Sequence, residues 1–281
     1  MLCIFILNIY RILKTQISII GCGWLGFDLA QNLIKEGYHI KGSTTTKDKL
    51  IKLEDANIEA YHIQLNEDGI SGNYIDFLKG SESVIINIPP GLRRNPNKNH
   101  VAEIQHLMDA ITSQNIKNII YVSSTSVYKD DTNFSTYNAD SVPNATSNSS
   151  KQLITIENML KENTNFNTTI IRFGGLFDAQ RHPAMYLAGR KYLSNPDAPV
   201  NFIHKEDCIN IISLILKDNI WNHVFNAAFP DHPTKKEYYT AFCKQHQLDL
   251  PQFNTSEKSE GKIIASTKVE QLLNYSFKQA L

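Results

Sequence analysis

The chain has 281 residues, enough for one large α/β domain or for a main domain with a smaller lobe, and either can bury a substantial core. Its 28 Lys and Arg are balanced by 28 Asp and Glu, so no global field draws it to nucleic acid or to an acidic membrane. The four cysteines, Cys3, Cys22, Cys208 and Cys243, show no CxxC pair and no metal-ligand spacing, which points to a reduced, cytoplasmic protein without a metal centre.

Residues 1–14, MLCIFILNIYRILK, are largely apolar but too short to span a bilayer. No basic segment precedes them and no small-residue cleavage site follows. They read as an extension ahead of the fold or as translation from an upstream start codon, with a weak membrane-surface tether as the alternative. Tyr10 and Lys14 have Y-x-x-x-K spacing but precede the fold, and are discounted.

The fold begins at Gln16. Ile17–Ile20 has the length and β-branching of a buried strand, and Gly21-Cys22-Gly23-Trp24-Leu25-Gly26 follows at once. Phe27–Glu36 is amphipathic at helical spacing, Gly37 stops it, and Tyr38–Lys41 reads as a second strand. Strand, glycine turn, helix, strand is the order a dinucleotide site needs. Gly21 lets the chain turn sharply, Gly23 lets backbone approach a pyrophosphate, and Gly26 lets the helix pack closely on the strand. Backbone N–H groups at the helix start, around Trp24 and Leu25, then face the phosphate charge.

The end of the second strand bears on which dinucleotide is bound. An acidic residue there would hold the ribose 2′-hydroxyl of NAD. The chain instead has Gly42-Ser43-Thr44-Thr45-Thr46-Lys47, with no carboxylate before Asp48. Hydroxyls from Ser43 and Thr44 and the cation of Lys47 suit a 2′-phosphate, so NADP is expected and NAD is the alternative. The competing reading of Lys47 is the start of a solvated helix, KDKLIKLED.

The alternation continues with strands over Ile58–Leu65 and Ser83–Ile88, the latter cut off by Pro89-Pro90-Gly91. A helix over His100–Gln114, a strand over Asn118–Ser124, a helix over Ser149–Glu162 and a strand over Thr168–Phe173 follow. The pattern predicts an α/β, Rossmann-type, doubly wound parallel sheet with helices on both faces. Asp130–Ser150, rich in Asn, Ser, Thr and Asp, reads as a long loop of the kind that often carries function. Towards the C-terminus, helices are expected at Glu206–Leu216, Lys235–His246 and Val269–Leu273, with a short strand at Lys262–Ile264. Ligands in such sheets bind beyond the carboxyl ends of the strands, so 21–26, 43–47, 89–94, 123–128 and 174–182 are expected to converge on one crevice.

Later motifs carry a family resemblance. Ser123-Ser124-Thr125-Ser126-Val127-Tyr128 resembles the SSxxVY segment of extended short-chain dehydrogenases/reductases, in their epimerase/dehydratase-like branch. Val200–Asp207 (VNFIHKED) resembles that branch's FVHxxD element, and Phe225-Asn226-Ala227-Ala228 its following strand. With GCGWLG, GSTTT and Arg181-His182-Pro183, the chain from about Gln16 onward is similar to the atypical YeeZ-like subgroup. The resemblance implies a Rossmann domain over 15–173, then remaining Rossmann elements and a small substrate lobe over 174–281. It implies cofactor contacts that include Pro89 and Ser123, and a substrate oxygen held by Ser124. In active members a Tyr-x-x-x-Lys pair on the following helix transfers the proton.

Here the chain departs from the pattern. Lys151 occupies the lysine position, and the resemblance gives it the nicotinamide ribose; the alternative is a solvated lysine. Four residues earlier stands Ser147, whose hydroxyl is far less acidic than a phenol of pKa about 10 and cannot simply replace it as a base. Other candidates are Tyr128, expected to pack below the site, Tyr137, which nothing in the sequence fixes, and His182. Arg93 and Arg94 could clamp a phosphate or carboxylate, with solvated arginines as the alternative, and Arg181 and His182 lie where the resemblance places substrate contacts. His204 and Asp207 read as structural residues at a helix start. The sequence supports an NADP-binding oxidoreductase or epimerase acting on a carbinol or carbonyl, with a nucleotide sugar among its candidate substrates. A non-catalytic, cofactor-sensing module is the second hypothesis. Neither nucleic acid nor membrane is an expected partner, and the protein is expected to be a monomer or a homodimer.

Overall fold

Burial is concentrated in the runs that read as strands: Ile17, Ile19, Val84, Ile85, Ile86, Ile119, Ile120, Ile170 and Ile171 are all fully enclosed. Runs apolar on both faces belong to a central parallel sheet covered by helices on each side. The computed structural model describes residues 15–281, so the segment 1–14, with Tyr10 and Lys14, lies outside the described residues.

In chain order the first elements are β1 (Gln16–Ile20), α1 (Trp24–Lys35), β2 (His39–Thr44), α2 (Lys49–Asp55) and β3 (Glu59–His62). Next come β4 (Gln64–Asn66), β5 (Gly69–Ser71), α3 (Tyr74–Leu78), β6 (Ser83–Ile86), α4 (His100–Ser113) and β7 (Asn118–Ser124). They are followed by β8 (Thr136–Tyr137), α5 (Asn148–Glu162), β9 (Asn167–Phe173), β10 (Gly175–Phe177) and β11 (Phe202–His204). The chain ends with α6 (Lys205–Lys217), β12 (Val224–Ala227), α7 (Lys235–Gln245), β13 (Ile263–Ile264) and α8 (Thr267–Leu272).

The main sheet has seven strands in the order β12-β9-β7-β6-β1-β2-β3. β1 pairs in parallel with β2 through Ile17 and Ile40, and with β6 through Ile19 and Ile85. Strand order therefore reverses between β1 and β6, where a ligand crevice forms in such sheets.

Several boundaries differ from the sequence reading. α1 begins at Trp24, inside the glycine motif, because Phe27 N–H already bonds the Gly23 carbonyl at 3.0 Å. β2 runs on to Thr44 through pairing with β3, which takes Ser43 and Thr44 out of the loop. The predicted strand over 58–65 divides: β3 stops at His62 and an antiparallel hairpin, β4–β5, follows. Gly72 (φ +99°) makes the exit from that hairpin, since a Cβ there would lie 2.1 Å from the His62 carbonyl oxygen. The polar stretch 130–150 is ordered by its own short side chains. Asp131 Oδ1 accepts from Asn133 N–H at 2.9 Å and Ser135 N–H at 3.2 Å, and β8 pairs in parallel with β13.

The chain forms two compact units. The first contains the described residues up to Ser123, with Lys151–Ile170 and Ile215–His223; the second contains Ser124–Ser150, Ile171–Leu214 and Val224–Leu281. In the second unit Asp207, fully buried at the start of α6, accepts from Tyr275 Oη, from Lys278 N–H at 2.9 Å and from Gln279 N–H at 3.4 Å. Burial, and then the neighbouring Asp207 carboxylate, raise the Tyr275 phenol well above its usual range. One carboxylate thus secures the last turn of chain to a helix. Asp207→Ala should cost roughly 3 kcal/mol, the loss of several bonds to a charged, buried acceptor. Urea unfolding checks this, and an unchanged midpoint would show that the clamp contributes nothing.

Candidate cofactor site and active-site residues

The turn after β1 is held from two sides. Gly21 N–H donates to Ser43 Oγ at 3.0 Å and Cys22 N–H to the Ser43 carbonyl at 2.8 Å, both on β2. From the other side Asn87, just past β6, donates its side-chain N–H to the Gly21 carbonyl at 3.0 Å. The three glycines then differ. Gly21 (φ +99°) has left-handed backbone, and a Cβ would lie 2.3 Å from the Asn87 carbonyl oxygen. A Cβ on Gly26 would lie 2.3 Å from the Gly21 carbonyl oxygen. Gly23 is exposed, with nothing within 4 Å of where its Cβ would be. Protein packing demands the first and third glycines but leaves the second facing open space.

That opening is at a helix start of a particular character. Gly23 caps α1 without a side-chain bond, and no acidic residue occupies the first turn, which contains Trp24 and Leu25. The N-terminal N–H groups of a helix have no intrahelical acceptors, and the dipole favours an anion there. The residues present therefore fit a dinucleotide pyrophosphate. Cys22 within the turn is buried and inert, its thiol pushed up to about 12 by desolvation.

The end of β2 is divided differently from the sequence reading. Ser43 is buried and its hydroxyl is the acceptor that holds Gly21. Thr44 Oγ1 accepts from Thr46 N–H at 3.2 Å. Thr45, Thr46 and Lys47 are exposed, and no carboxylate occurs before Asp48. Of the residues expected to meet a 2′-phosphate, Ser43 thus spends its hydroxyl on supporting the turn. Asn87 escaped the sequence reading. Its signal was a lone amide at the carboxyl end of an otherwise apolar strand, directly ahead of Ile88 and Pro89.

Pro89, Arg93 and Arg94 are exposed on the following loop, which turns at Gly91 (φ +73°). Gln152 fastens the loop's far end: its Oε1 accepts from His100 N–H at 2.8 Å and its Nε2 donates to the Lys98 carbonyl at 3.0 Å. Lys151, next to Gln152 in the first turn of α5, is exposed. Ser123 is buried and its hydroxyl donates to Glu157 of α5 at 2.6 Å, so its side chain is turned to the helix and only its backbone is left for a ligand.

The second unit begins at Ser124, whose Oγ accepts from Ser126 N–H at 3.1 Å and caps a 3-10 turn over Thr125–Val127. That bond uses an oxygen lone pair and leaves the hydroxyl hydrogen to donate. Ser147 Oγ accepts from Ser150 N–H at 3.2 Å, directly ahead of α5, and Ser150 Oγ donates to the Ser126 carbonyl at 2.7 Å. The residue in the place of the family tyrosine is a helix cap.

The other candidate bases are engaged elsewhere. Tyr128 is buried, with its hydroxyl among the Asn138 carbonyl (3.0 Å), Asn226 Oδ1 (3.1 Å) and the buried Arg172 guanidinium. Tyr137, which the sequence left unfixed, is buried and stacks on Tyr128 with ring centroids 4.6 Å apart. His182 packs inside the second unit. Its Nδ1 accepts from Ala184 N–H at 3.2 Å, so Nε2 carries the proton and donates to Tyr238 Oη at 2.8 Å. The ring stacks on Phe242 at 3.8 Å. Arg181 is exposed, and its backbone N–H bonds Asp178, which pairs with Lys205 at 2.6 Å. His204 accepts from Glu206 N–H at 3.3 Å, and among the described residues no group of His, Cys, Asp and Glu could hold a metal ion.

Two outcomes follow. Gly21→Ala and Gly26→Ala should destabilise the fold by roughly 2–4 kcal/mol, whereas Gly23→Ala should leave the melting temperature within about 1 °C. Equal losses at all three positions in thermal melts would refute the division. For His182, burial and then repulsion from His246 lower the pKa from 6.5 to about 4. The unfolded chain then takes up a proton that the folded state refuses. The contribution is intact above pH 6.5 and is lost as pH falls towards about 4. His182→Asn should be less stable at pH 7 yet show a shallower decline over that window; parallel pH profiles would count against it.

Comparison with known proteins agrees with this geometry. The family model described as NAD(P)H-binding matches residues 21–198. Protein YeeZ of Escherichia coli K12 is 29% identical over 266 residues, covering 93% of this chain and 95% of that protein. Among solved structures, a short-chain dehydrogenase/reductase superfamily protein from Agrobacterium tumefaciens with bound NAD superimposes with a TM-score of 0.75 at 14% identity, over 94% of this chain and 93% of that one. A UDP-glucose 4-epimerase from Thermotoga maritima with UDP-glucose gives 0.76 at 15% identity, over 95% and 94%. Among the described residues no helix is long and apolar enough to cross a membrane. With a matching family model over most of its length, a dinucleotide turn and the seven-stranded sheet, the chain belongs to the NAD(P)H-binding family and is similar to Protein YeeZ over nearly its whole length.

Proposed function

We propose that the protein is an NADP(H)-binding oxidoreductase or epimerase acting on a carbinol or carbonyl carbon, with a Rossmann domain and a smaller C-terminal substrate lobe. The observation that carries the reading is the open face over Gly23, at an uncapped helix start free of acids, with Thr45, Thr46 and Lys47 exposed at the neighbouring strand end. Bound there, the dinucleotide would supply or accept a hydride. A 2′-phosphate is favoured over a bare hydroxyl because the strand end offers a cation and backbone N–H groups but no carboxylate to accept from a ribose. The NAD in the Agrobacterium structure and the UDP-glucose in the Thermotoga epimerase support a nicotinamide cofactor and a nucleotide-sugar substrate.

In this reading Ser124 donates its remaining hydroxyl hydrogen to the substrate oxygen, Lys151 holds the nicotinamide ribose, and Arg93 and Arg181 meet the anionic part of the substrate. Ser147 does not act as a base: its hydroxyl titrates far above neutrality and caps α5. That same observation favours the second reading, a dinucleotide-binding module that reports cofactor state without turnover. The exposed residues of α4 and α5, among them Gln105, Asp109, Thr155 and Asn158, are polar and support a monomer.

Titration calorimetry should show tighter binding of NADP(H) than of NAD(H), and Gly23→Val should abolish both; reversed affinities would sink the cofactor assignment. Nicotinamide turnover should then be assayed over nucleotide sugars and small carbonyls. Wild type should be slow, and Ser124→Ala should lower any rate by about 100-fold. Brisk turnover untouched by Ser124→Ala would remove Ser124 from the site. Activity that appears only in Ser147→Tyr would establish the sensing module as the natural role.

A further inference from the structure

Apolar exposure in the second unit is concentrated at one place. Eight large hydrophobic side chains are exposed among the described residues, and four of them are Met185 (54%), Tyr186 (63%), Tyr192 (86%) and Leu250 (46%). Tyr192 and Leu250 belong to two strips of chain hydrogen-bonded side by side: Gly189 N–H to the Asp249 carbonyl at 2.9 Å, Gln252 N–H to the Arg190 carbonyl at 2.8 Å, and Leu193 N–H to the Gln252 carbonyl at 3.0 Å; Met185 and Tyr186 end the 3-10 turn (Pro183–Tyr186) that leads into the first strip. Single exposed apolar residues need no explanation, but four on one short turn and the paired strips after it do.

The backbone holds this surface in place. Tyr192 has left-handed backbone (φ +59°), a conformation bulky L residues avoid, and the bonds of Leu193 to Gln252 and of Asn254 to Leu193 (2.9 Å) lock the position next to it. Beneath it, Leu187 and Phe253 pack onto Ala184, Val200, Tyr238 and Tyr239, so the strips rest on a built core. Arg190 and Lys191 directly precede Tyr192, are exposed, and make no ion pair among the described residues. Asp249 is the acid on the neighbouring strip, so the surface carries excess positive charge although the chain as a whole is neutral.

We infer that this surface docks an acidic segment of a partner protein whose apolar side chains cover Tyr192, Tyr186, Met185 and Leu250. Charge complementarity decides the occupant. A second copy of this chain, related by a two-fold axis, would bring the unpaired Arg190 and Lys191 of both copies together as solvent is excluded, which opposes association. Carboxylates flanking an aromatic or aliphatic anchor would instead neutralise both cations while the anchor covers the rings. This inference does not depend on the cofactor reading, since none of these residues belongs to the glycine turn.

The test is a selection from a random peptide display library on the full-length protein, followed by fluorescence anisotropy with the enriched peptides. Enriched sequences should pair Asp or Glu with an aromatic or aliphatic anchor. Tyr192→Ser with Leu250→Ser should weaken binding about tenfold or more, with thermal melts unchanged because both side chains are exposed. Arg190→Glu with Lys191→Glu should weaken it about as much and shift selection towards basic peptides. Three results would each overturn the proposal. One is enrichment without acidic bias, or binding equal in wild type and variants. Another is dimerisation of wild type that Tyr192→Ser abolishes, which would make a second copy the occupant. The third is perturbation of Tyr186, Arg190 and Tyr192 amide resonances by UDP-glucose alone, which would make the surface a substrate subsite.

Discussion

Ser43 holds the turn on which the first unit's chemistry depends. Its hydroxyl accepts from Gly21 and its carbonyl from Cys22, so a strand of the sheet grips two successive residues of the loop beside it. Asn87 grips the same loop from β6. With backbone on both sides, Gly21 and Gly26 have no room for side chains, and the single unconstrained position, Gly23, faces outward at a helix start. A phosphate-binding loop must keep its N–H groups aimed before the ligand arrives, because ordering them afterwards would draw on binding energy. Here the sheet does that ordering.

α5 has a comparable role. Through Gln152 it fastens the end of the arginine loop, and through Glu157 it takes the Ser123 hydroxyl. Lys151 therefore extends from a helix whose first three turns are bonded to the loop after β6 and to the end of β7. The helix begins on a serine cap. A tyrosine at position 147 could not cap it, since a phenol has no oxygen close enough to its own backbone to reach the N–H three residues on. Serine at 147 thus stabilises the helix start while withdrawing the phenol. Within the second unit, Tyr128, Tyr137 and His182 are each locked by two or more partners, and none is offered as a substitute base.

Strands β1, β6, β7 and β9 were legible because parallel strands covered on both faces carry short, β-branched apolar runs at their centres, bounded by turn residues. The helices between them were legible from period and from stops such as Gly37. Misreadings fell where polar residues satisfy backbone. Thr44 looked like loop yet pairs within the sheet, whereas the Asn- and Ser-rich stretch 130–150 is the loop expected, ordered by bonds between its own side chains and backbone. Periodicity carries no information about either.

By itself, then, the sequence determined the order of elements, the parallel sheet and the phosphate-binding turn, because each rests on local spacing: apolar runs, glycines at fixed offsets, the lysine four residues after a serine. What only the tertiary structure decided is which polar side chains face outward. Ser43, Ser123 and His182 are chemically able to meet a ligand, and nothing in their neighbours along the chain says otherwise. Each is turned inward by a partner distant in sequence: Gly21 for Ser43, Glu157 for Ser123, Tyr238 for His182. A buried hydrogen-bonding group must find a partner, and which partner lies within reach is set by packing between elements far apart in the chain.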